Sequence, residues 1–244
     1  MTTAPESIQP RREHHRARWA LVVFLAALAG GLAVALLYQL DVLGESSGTG
    51  VHGSGVAASE PRAVAPFTSV DLAGSNNVVI RAGEKQSVVV HADANLLDHV
   101  TTAVESRTLV VANTPGSFTT ESPMRVEVTV PALTGLTLSG SGNVVVDGIA
   151  AKSLTVSLPG SGTLTGSGTA DRLDVTVSGS GEVQFLRLVG RDVRAVVSGS
   201  GAVFVTATQR LDASVTGSGA ILYAGSPASL TKDVTGTGAI IRTG

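Results

Sequence analysis

The chain contains no cysteine, which removes disulfides, thiolate-bound zinc, a thiol nucleophile and a lipid-modified N-terminal cysteine. Aromatic residues make up only 3% and charged residues only 15% of its 244 residues. With no basic stripe and no aromatic interleaving, nothing in it resembles a nucleic-acid footprint. The net charge of −2 offers no general attraction for a polyanion. The carboxylates are dispersed along the chain or sit next to arginine, so neither a metal site nor a cofactor is expected.

What the chain does contain is glycine, 29 residues of it, much of it periodic. A Gly-Ser-Gly or Gly-Thr-Gly triplet begins at Gly140, Gly160, Gly179, Gly199, Gly217 and Gly236, at intervals of 20, 19, 20, 18 and 19 residues. Short alternating apolar segments lie between the triplets. A period of this length built from strand-like segments predicts an all-β fold: a right-handed parallel β-helix with rungs of about 19 residues. The glycines are expected at corners, where φ > 0 is cheap only for glycine. The middle Ser or Thr is expected to bond along its column or to the corner backbone. A phosphate-cradling loop would need a strand-to-helix context and usually a lysine, and the chain has neither here.

Alternation of side chains assigns the faces. Aligned on the triplets, Leu138, Leu158, Val177, Val197, Val215 and Val234 form one inward column. Val144, Leu164, Val183, Val203, Ile221 and Ile240 form another. Two outward columns carry charge of alternating sign: Arg172, Asp192 and Arg210 in one, Asp174, Arg194 and Asp212 in the other. These six are expected to form a structural charge lattice that holds the rungs in register, since stacked like charges would be penalised. A further outward column ends in Phe204, Leu222 and Ile241, a candidate apolar strip for docking a partner or a second copy, unless a loop or the N-terminal segment covers it.

Upstream, residues 1–18 read as a basic cytoplasmic tail and residues 19–40 as one transmembrane helix, with Trp19 and Tyr38 at the two interfaces. Arginines precede this span and acids follow it, so the C-terminal part is expected outside the cytoplasm. A cleaved signal peptide is the competing reading, with Ala27-Leu28-Ala29 as a cleavage site; the length of the apolar run favours the anchor. Residues 41–66 are rich in Gly, Ser and Pro and are expected to be a flexible tether. The ectodomain spans 67–244, with an irregular first half (67–131) that caps the stack and a regular second half (132–244). Within the first half, Gly74-Ser75-Asn76-Asn77-Val78 reads as a decayed copy of Gly140-Ser141-Gly142-Asn143-Val144. His91, Asp93, Asp98 and His99 are the one acid and histidine grouping available to an enzyme there.

The run VVVHADANLLDHVTTAVESRTLVVAN (Val88 to Asn113), the junction VEVTVPALTGLTLSGSGNV (Val126 to Val144) and the recurring SGSG units resemble the auto-transporter adhesin head-domain family of bacterial envelope proteins. The resemblance covers about Phe67 to Gly244. It implies a β-helix-like fold outside the cytoplasm and carries over no catalytic residue. The expected role is a non-catalytic, membrane-anchored adhesion or scaffold module that meets cell-wall glycan or a surface protein. The alternatives are a polysaccharide-active β-helix enzyme and a self-associating envelope assembly or sensor protein.

Overall fold

The structure, a computed structural model, describes residues 50–243. The expected tail and transmembrane helix at 1–40 lie outside the described residues. No helix among the described residues is long and apolar enough to cross a membrane.

The strands are β1 (Val51–His52), β2 (Ala57–Pro61), β3 (Ser69–Leu72), β4 (Asn77–Ala82), β5 (Ser87–Asp93), β6 (Val100–Glu105), β7 (Thr108–Asn113), β8 (Phe118–Thr119) and β9 (Arg125–Val130) in the first part. The second part has β10 (Gly135–Leu138), β11 (Asn143–Leu158), β12 (Thr163–Val177), β13 (Glu182–Val197), β14 (Ala202–Gly217), β15 (Ala220–Ala224), β16 (Ser229–Gly236) and β17 (Ala239–Arg242). A 3₁₀ turn, Ala94–His99, links β5 to β6. The chain winds into a β-solenoid of about five turns.

From β10 onward the rungs stack in sequence order and every ladder is parallel. The register is the one the triplets predict: Leu154↔Leu173, Val193↔Leu211 and Leu211↔Leu230 fall in one column. Val144, Leu164, Val183, Val203 and Ile221 in another are all buried. Each inward side chain therefore packs above and below on the equivalent side chain of its neighbours. Full burial of each such residue contributes roughly 1.5–3 kcal/mol. Where one rung offers only Gly166, the ring of Phe185 in the next rung lies against that position.

The glycine triplets do something other than expected. Among them only Gly217 and Gly236 have positive φ, +120° and +116°. The others are needed because backbone meets backbone. A Cβ on Gly160 would strike the carbonyl oxygen of Gly140, one on Gly179 that of Gly160, and one on Gly199 that of Gly179. Corner amides bond across the same gap, as in Gly160 N–H to Leu138 O at 3.1 Å and Gly201 N–H to Gly179 O at 3.2 Å.

The first part is built out of sequence order. β3 and β4 form the rung directly beneath β10 and β11, pairing Leu136↔Val70 and Val144↔Val78. The decayed Gly74–Val78 copy thus lies directly under its regular counterpart. Beneath that rung lie β7 and β9, which come later in the chain. The outermost layer is antiparallel: β6 on β7, β5 on β9, and β2 on β5. Reversing direction closes the stack, and Leu96 of the 3₁₀ turn is fully buried over this end. Part of the expected tether belongs to this cap. Pairing of Ala57–Pro61 with β5 and the bond from Arg62 Nη2 to Leu97 O at 2.8 Å place residues 57–62 in the folded body. Pro61 there sits on an edge strand rather than in a free linker.

The opposite end is finished differently. The inward column Val156, Val175, Ala195, Ala213 ends in Lys232. The column Phe185, Val205, Tyr223 ends in Arg242. Lys232 reaches across the core, its ammonium 4.7 Å from the Tyr223 ring centroid and 3.4 Å from the carbonyl oxygen of Ile240. Its stem covers apolar surface while the charge stays at the edge. Leu230 and Val234, inward in register, remain 44% exposed because no rung covers them.

The backbone contact between corners gives a direct test. Gly179→Ala should destabilise the protein by about 2 kcal/mol, as expected for overpacking against a rigid neighbour. Ser180→Ala, at the exposed centre of the same triplet, should change stability by less than about 0.5 kcal/mol. Urea denaturation midpoints of the two variants check this.

Candidate functional site

Two outward surfaces of the solenoid hold the residues singled out by the sequence. On the first, the carboxy-terminal halves of β12, β13 and β14 lie side by side. The pairings Arg172↔Asp192↔Arg210 and Asp174↔Arg194↔Asp212 place the six charges in a grid of two columns and three rungs. Signs alternate along both directions. The six line a shallow depression of about 400 Å³ together with Val193. Among the described residues none of them has an opposite charge within 4.0 Å; the salt bridges there are Arg62–Glu60 and Arg125–Glu127, and His91 Nε2 lies 3.6 Å from Glu127. The expected lattice is therefore an ordered array of charges rather than a set of closed salt bridges. Parallel neighbours sit ~4.8 Å apart at the backbone, and Arg172, Arg194 and Arg210 are exposed while the three aspartates are half-buried.

The rungs on either side continue the array with hydroxyls: Ser153 and Thr155 before it, Ser229 and Thr231 after it. The next outward column is small, with Ser157, Thr176, Val196 and Ser214 in register. The result is a flat, polar, repeating face.

On the second surface, Gln184↔Phe204↔Leu222↔Ile241 form one column. Phe204 and Leu222 are half-buried, and Ile241 is 50% exposed. Phe204 and Leu186 help to line a second shallow depression of about 350 Å³, with Thr165, Glu182, Gln184 and Arg187 around them. This surface is apolar at one end of the stack and polar toward the middle.

The acid and histidine grouping does not converge. His91 Nδ1 lies 2.7 Å from Ser59 Oγ across the β2–β5 ladder, with Nε2 3.6 Å from Glu127. His99 Nδ1 lies 2.7 Å from Thr114 Oγ1, and its ring packs on Phe118. Asp98 is exposed. Ser59, His91 and Glu127 form a hydroxyl–imidazole–carboxylate row, but Arg125 holds Glu127 at 2.9 Å and the strands around the row are committed to their ladders. Nucleophilic catalysis also needs donors converging on a developing oxyanion.

Asp93 has a role the sequence did not disclose. It is fully buried, and burial alone would push its carboxyl up. Backbone N–H groups of Glu121, Ser122 and Gly55, with the Ser122 hydroxyl, outweigh that and hold it below the ordinary carboxylate value. The bonds from Glu121 N–H and Ser122 N–H to Oδ2 measure 2.9 and 3.3 Å. A Cβ on Gly53 would fall against this carboxylate. One side chain thus ties the entering segment, the end of β5 and the loop before β9 into a single cap. The only signal in the sequence was an acid within a repeat-poor block.

The fold and its two repeating outer faces define an all-β solenoid with regular outward columns. The chain belongs to the family described as "Putative auto-transporter adhesin, head GIN domain", which matches residues 66–227. Among solved structures, it is similar to a "putative adhesin" from Bacteroides fragilis with 22% identity and a TM-score of 0.67, over 80% of this chain and 100% of that one. It is also similar to two proteins from Parabacteroides distasonis. One is a "putative adhesin", with 23% identity and a TM-score of 0.53 over 79% and 99% of the two chains. The other is a "putative lipid binding protein", with 24% identity and a TM-score of 0.51 over 80% and 99%. These likenesses establish the fold. No curated protein matches the chain.

The Asp93 clamp predicts a pH signature. Its native pKa is lowered, so its contribution to stability is full above the unfolded value near ~3.9 and is lost as pH falls through the lower native value. Asp93→Asn should lower Tm at pH 7, and the gap to wild type should narrow as pH falls from the unfolded carboxylate value through the lowered native one. Thermal melts between about pH 2 and 7 measure it; a gap independent of pH would contradict the assignment.

Proposed function

We propose that this protein is a non-catalytic adhesion or scaffold module of the bacterial envelope, held to a membrane by residues 19–40 and displayed outside the cytoplasm. The observation that carries this reading is the in-register outer face, on which similar Ser, Thr, Asp and Arg side chains recur rung after rung. A surface of this kind suits a repeating polymer: each contact is weak, but contacts one rung apart act together and raise avidity. Cell-wall glycan has the required repetition and hydroxyl chemistry.

Family membership supports adhesion, and the build of the chain fits it. The inward columns are filled with packed side chains and the described depressions are shallow and open, so a lipid would have to lie on an outer face. For an enzyme, the acid and histidine residues would have to gather in a groove, whereas His91, His99 and Asp93 bond to separate parts of the cap and Asp98 is exposed.

The Phe204, Leu222 and Ile241 column favours a second reading, docking of a surface protein or of another copy. Exposed apolar side chains stacked in one row are a stronger sign of contact than the same residues scattered.

Sedimentation of the protein with purified cell-wall sacculi tests the first reading. Binding should fall at least about tenfold when Thr155, Thr176 and Ser214 are replaced together by bulkier glutamates, and should be unaffected by Leu222→Lys. Loss of binding in Leu222→Lys alone would move the contact to the apolar column; no binding by wild type would reject the glycan reading.

A further inference from the structure

We propose that the face carrying Arg172, Asp174, Asp192, Arg194, Arg210 and Asp212 binds the same face of a second copy, with the two solenoids side by side and running in the same direction. Among the described residues the six have no partner of opposite charge within 4.0 Å. A single-sign ligand gains nothing from them, because each arginine it attracts has an aspartate beside it. The surface that complements an alternating array is another alternating array in the correct register.

The register decides the orientation. By rung, the first column reads plus, minus, plus and the second minus, plus, minus. Consider a two-fold axis lying in the interface, parallel to the solenoid axis and midway between the columns. It places Arg172 over the partner's Asp174, Asp192 over the partner's Arg194, and Arg210 over the partner's Asp212. By symmetry each pairing occurs twice, so all six charges of each copy face an opposite charge. Sliding one copy by a single rung, ~4.8 Å, sets Arg172 over the partner's Arg194 and turns the match into repulsion. An inverted copy, related by an axis across the solenoid, does worse. Centred on the middle rung it sets Arg172 on the partner's Arg210; displaced by half a rung it matches four of the six and leaves the others facing Ser and Thr. The small column Ser157, Thr176, Val196 and Ser214 beside the grid lets the faces approach.

A two-fold axis along the solenoid keeps both N-terminal caps on the same side. This deepens the proposed function and rests on its membrane-anchor reading for one consequence: the pair forms between chains in one membrane, not between opposed surfaces.

Two triple variants test the pairing. Variant one, Arg172→Asp, Asp192→Arg and Arg210→Asp, makes both columns minus, plus, minus. Variant two, Asp174→Arg, Arg194→Asp and Asp212→Arg, makes both plus, minus, plus. Charge still alternates between stacked rungs in each, so neither creates like charges along a column. Sedimentation velocity of the full-length chain in a non-ionic detergent is the readout. Wild type should be dimeric at low salt, and raising salt from about 0.05 to 0.5 M should weaken association at least about tenfold. Each variant alone should be monomeric, and mixing the two should restore a heterodimer with the salt sensitivity of wild type. A wild type that is monomeric at about 0.1 mM in low salt overturns the proposal, as does a wild-type dimer indifferent to salt. A dimer of variant one alone would indicate the inverted arrangement and also overturn it. Should the variants fail to fold, shown by loss of the far-ultraviolet β signal, the wild-type salt titration decides alone. Pairing covers the face to which glycan binding is assigned, so a second copy and glycan compete for it; sacculus binding of the monomeric variants, in which Thr155, Thr176 and Ser214 are unchanged, is read apart from their sedimentation velocity, and loss of one reading leaves the other standing.

Discussion

Everything in this molecule depends on how closely one turn of backbone lies against the next. At the triplet corners the carbonyl oxygen of one rung occupies the space where a Cβ of the following rung would be. That contact sets the rung spacing at the corner, and the corner then aligns the strands on both sides. Once they are aligned, the aliphatic columns close over themselves and the amide ladders form without slippage. A strand shifted by one residue would turn its buried side chains to solvent, so corner and core enforce the same register. The glycine here works by having no side chain, and only at Gly217 and Gly236 also by tolerating positive φ.

The two outer rungs among the described residues are built by different physics. At the first end the chain abandons both parallel pairing and sequence order: β5 and β6 reverse, β2 covers β5, and Leu96 fills the opening. The cap is drawn together by one buried carboxylate, Asp93, whose charge is balanced by backbone N–H groups rather than by a cation. At the other end the fold remains parallel, and two of the inward columns change from apolar side chains to Lys232 and Arg242, while Leu230, Val234 and Ile240 continue the others. A further rung placed on this surface would bury two cations, which is costly without a counter-charge. Repetition drives the middle, and departures from it define the limits.

The outer faces inherit their order from the core. Because alternate residues point outward, any column that is regular inside forces a regular column outside. The charge array, the hydroxyl columns and the Phe204 to Ile241 strip are all consequences of one register. Under the proposed function, such a face would meet a partner through many equivalent weak contacts at a fixed spacing. It places the functional burden on pattern, and it makes a one-rung displacement the natural unit of specificity.

The triplet spacing and the two-residue alternation were enough to give the rungs, the buried columns and the alternating charges of residues 135–242, because a repeat brings near in space what is equivalent in sequence. The same reasoning could not order the first part, where β7 and β9 lie beneath β3 and β4 although they follow them in the chain. Nor could it show that residues 57–62 join the cap, since edge strands share their Gly, Pro and Ser composition with linkers. Asp93 carried no legible sign because its partners are backbone amides, and any residue can supply those. The Arg and Asp columns were readable as neighbours, but whether they close into salt bridges or stay open to a partner depends on side-chain geometry. Local periodicity thus determined what stacks on what in the regular turns, and only the folded chain decided how the stack ends and which of its charges remain free.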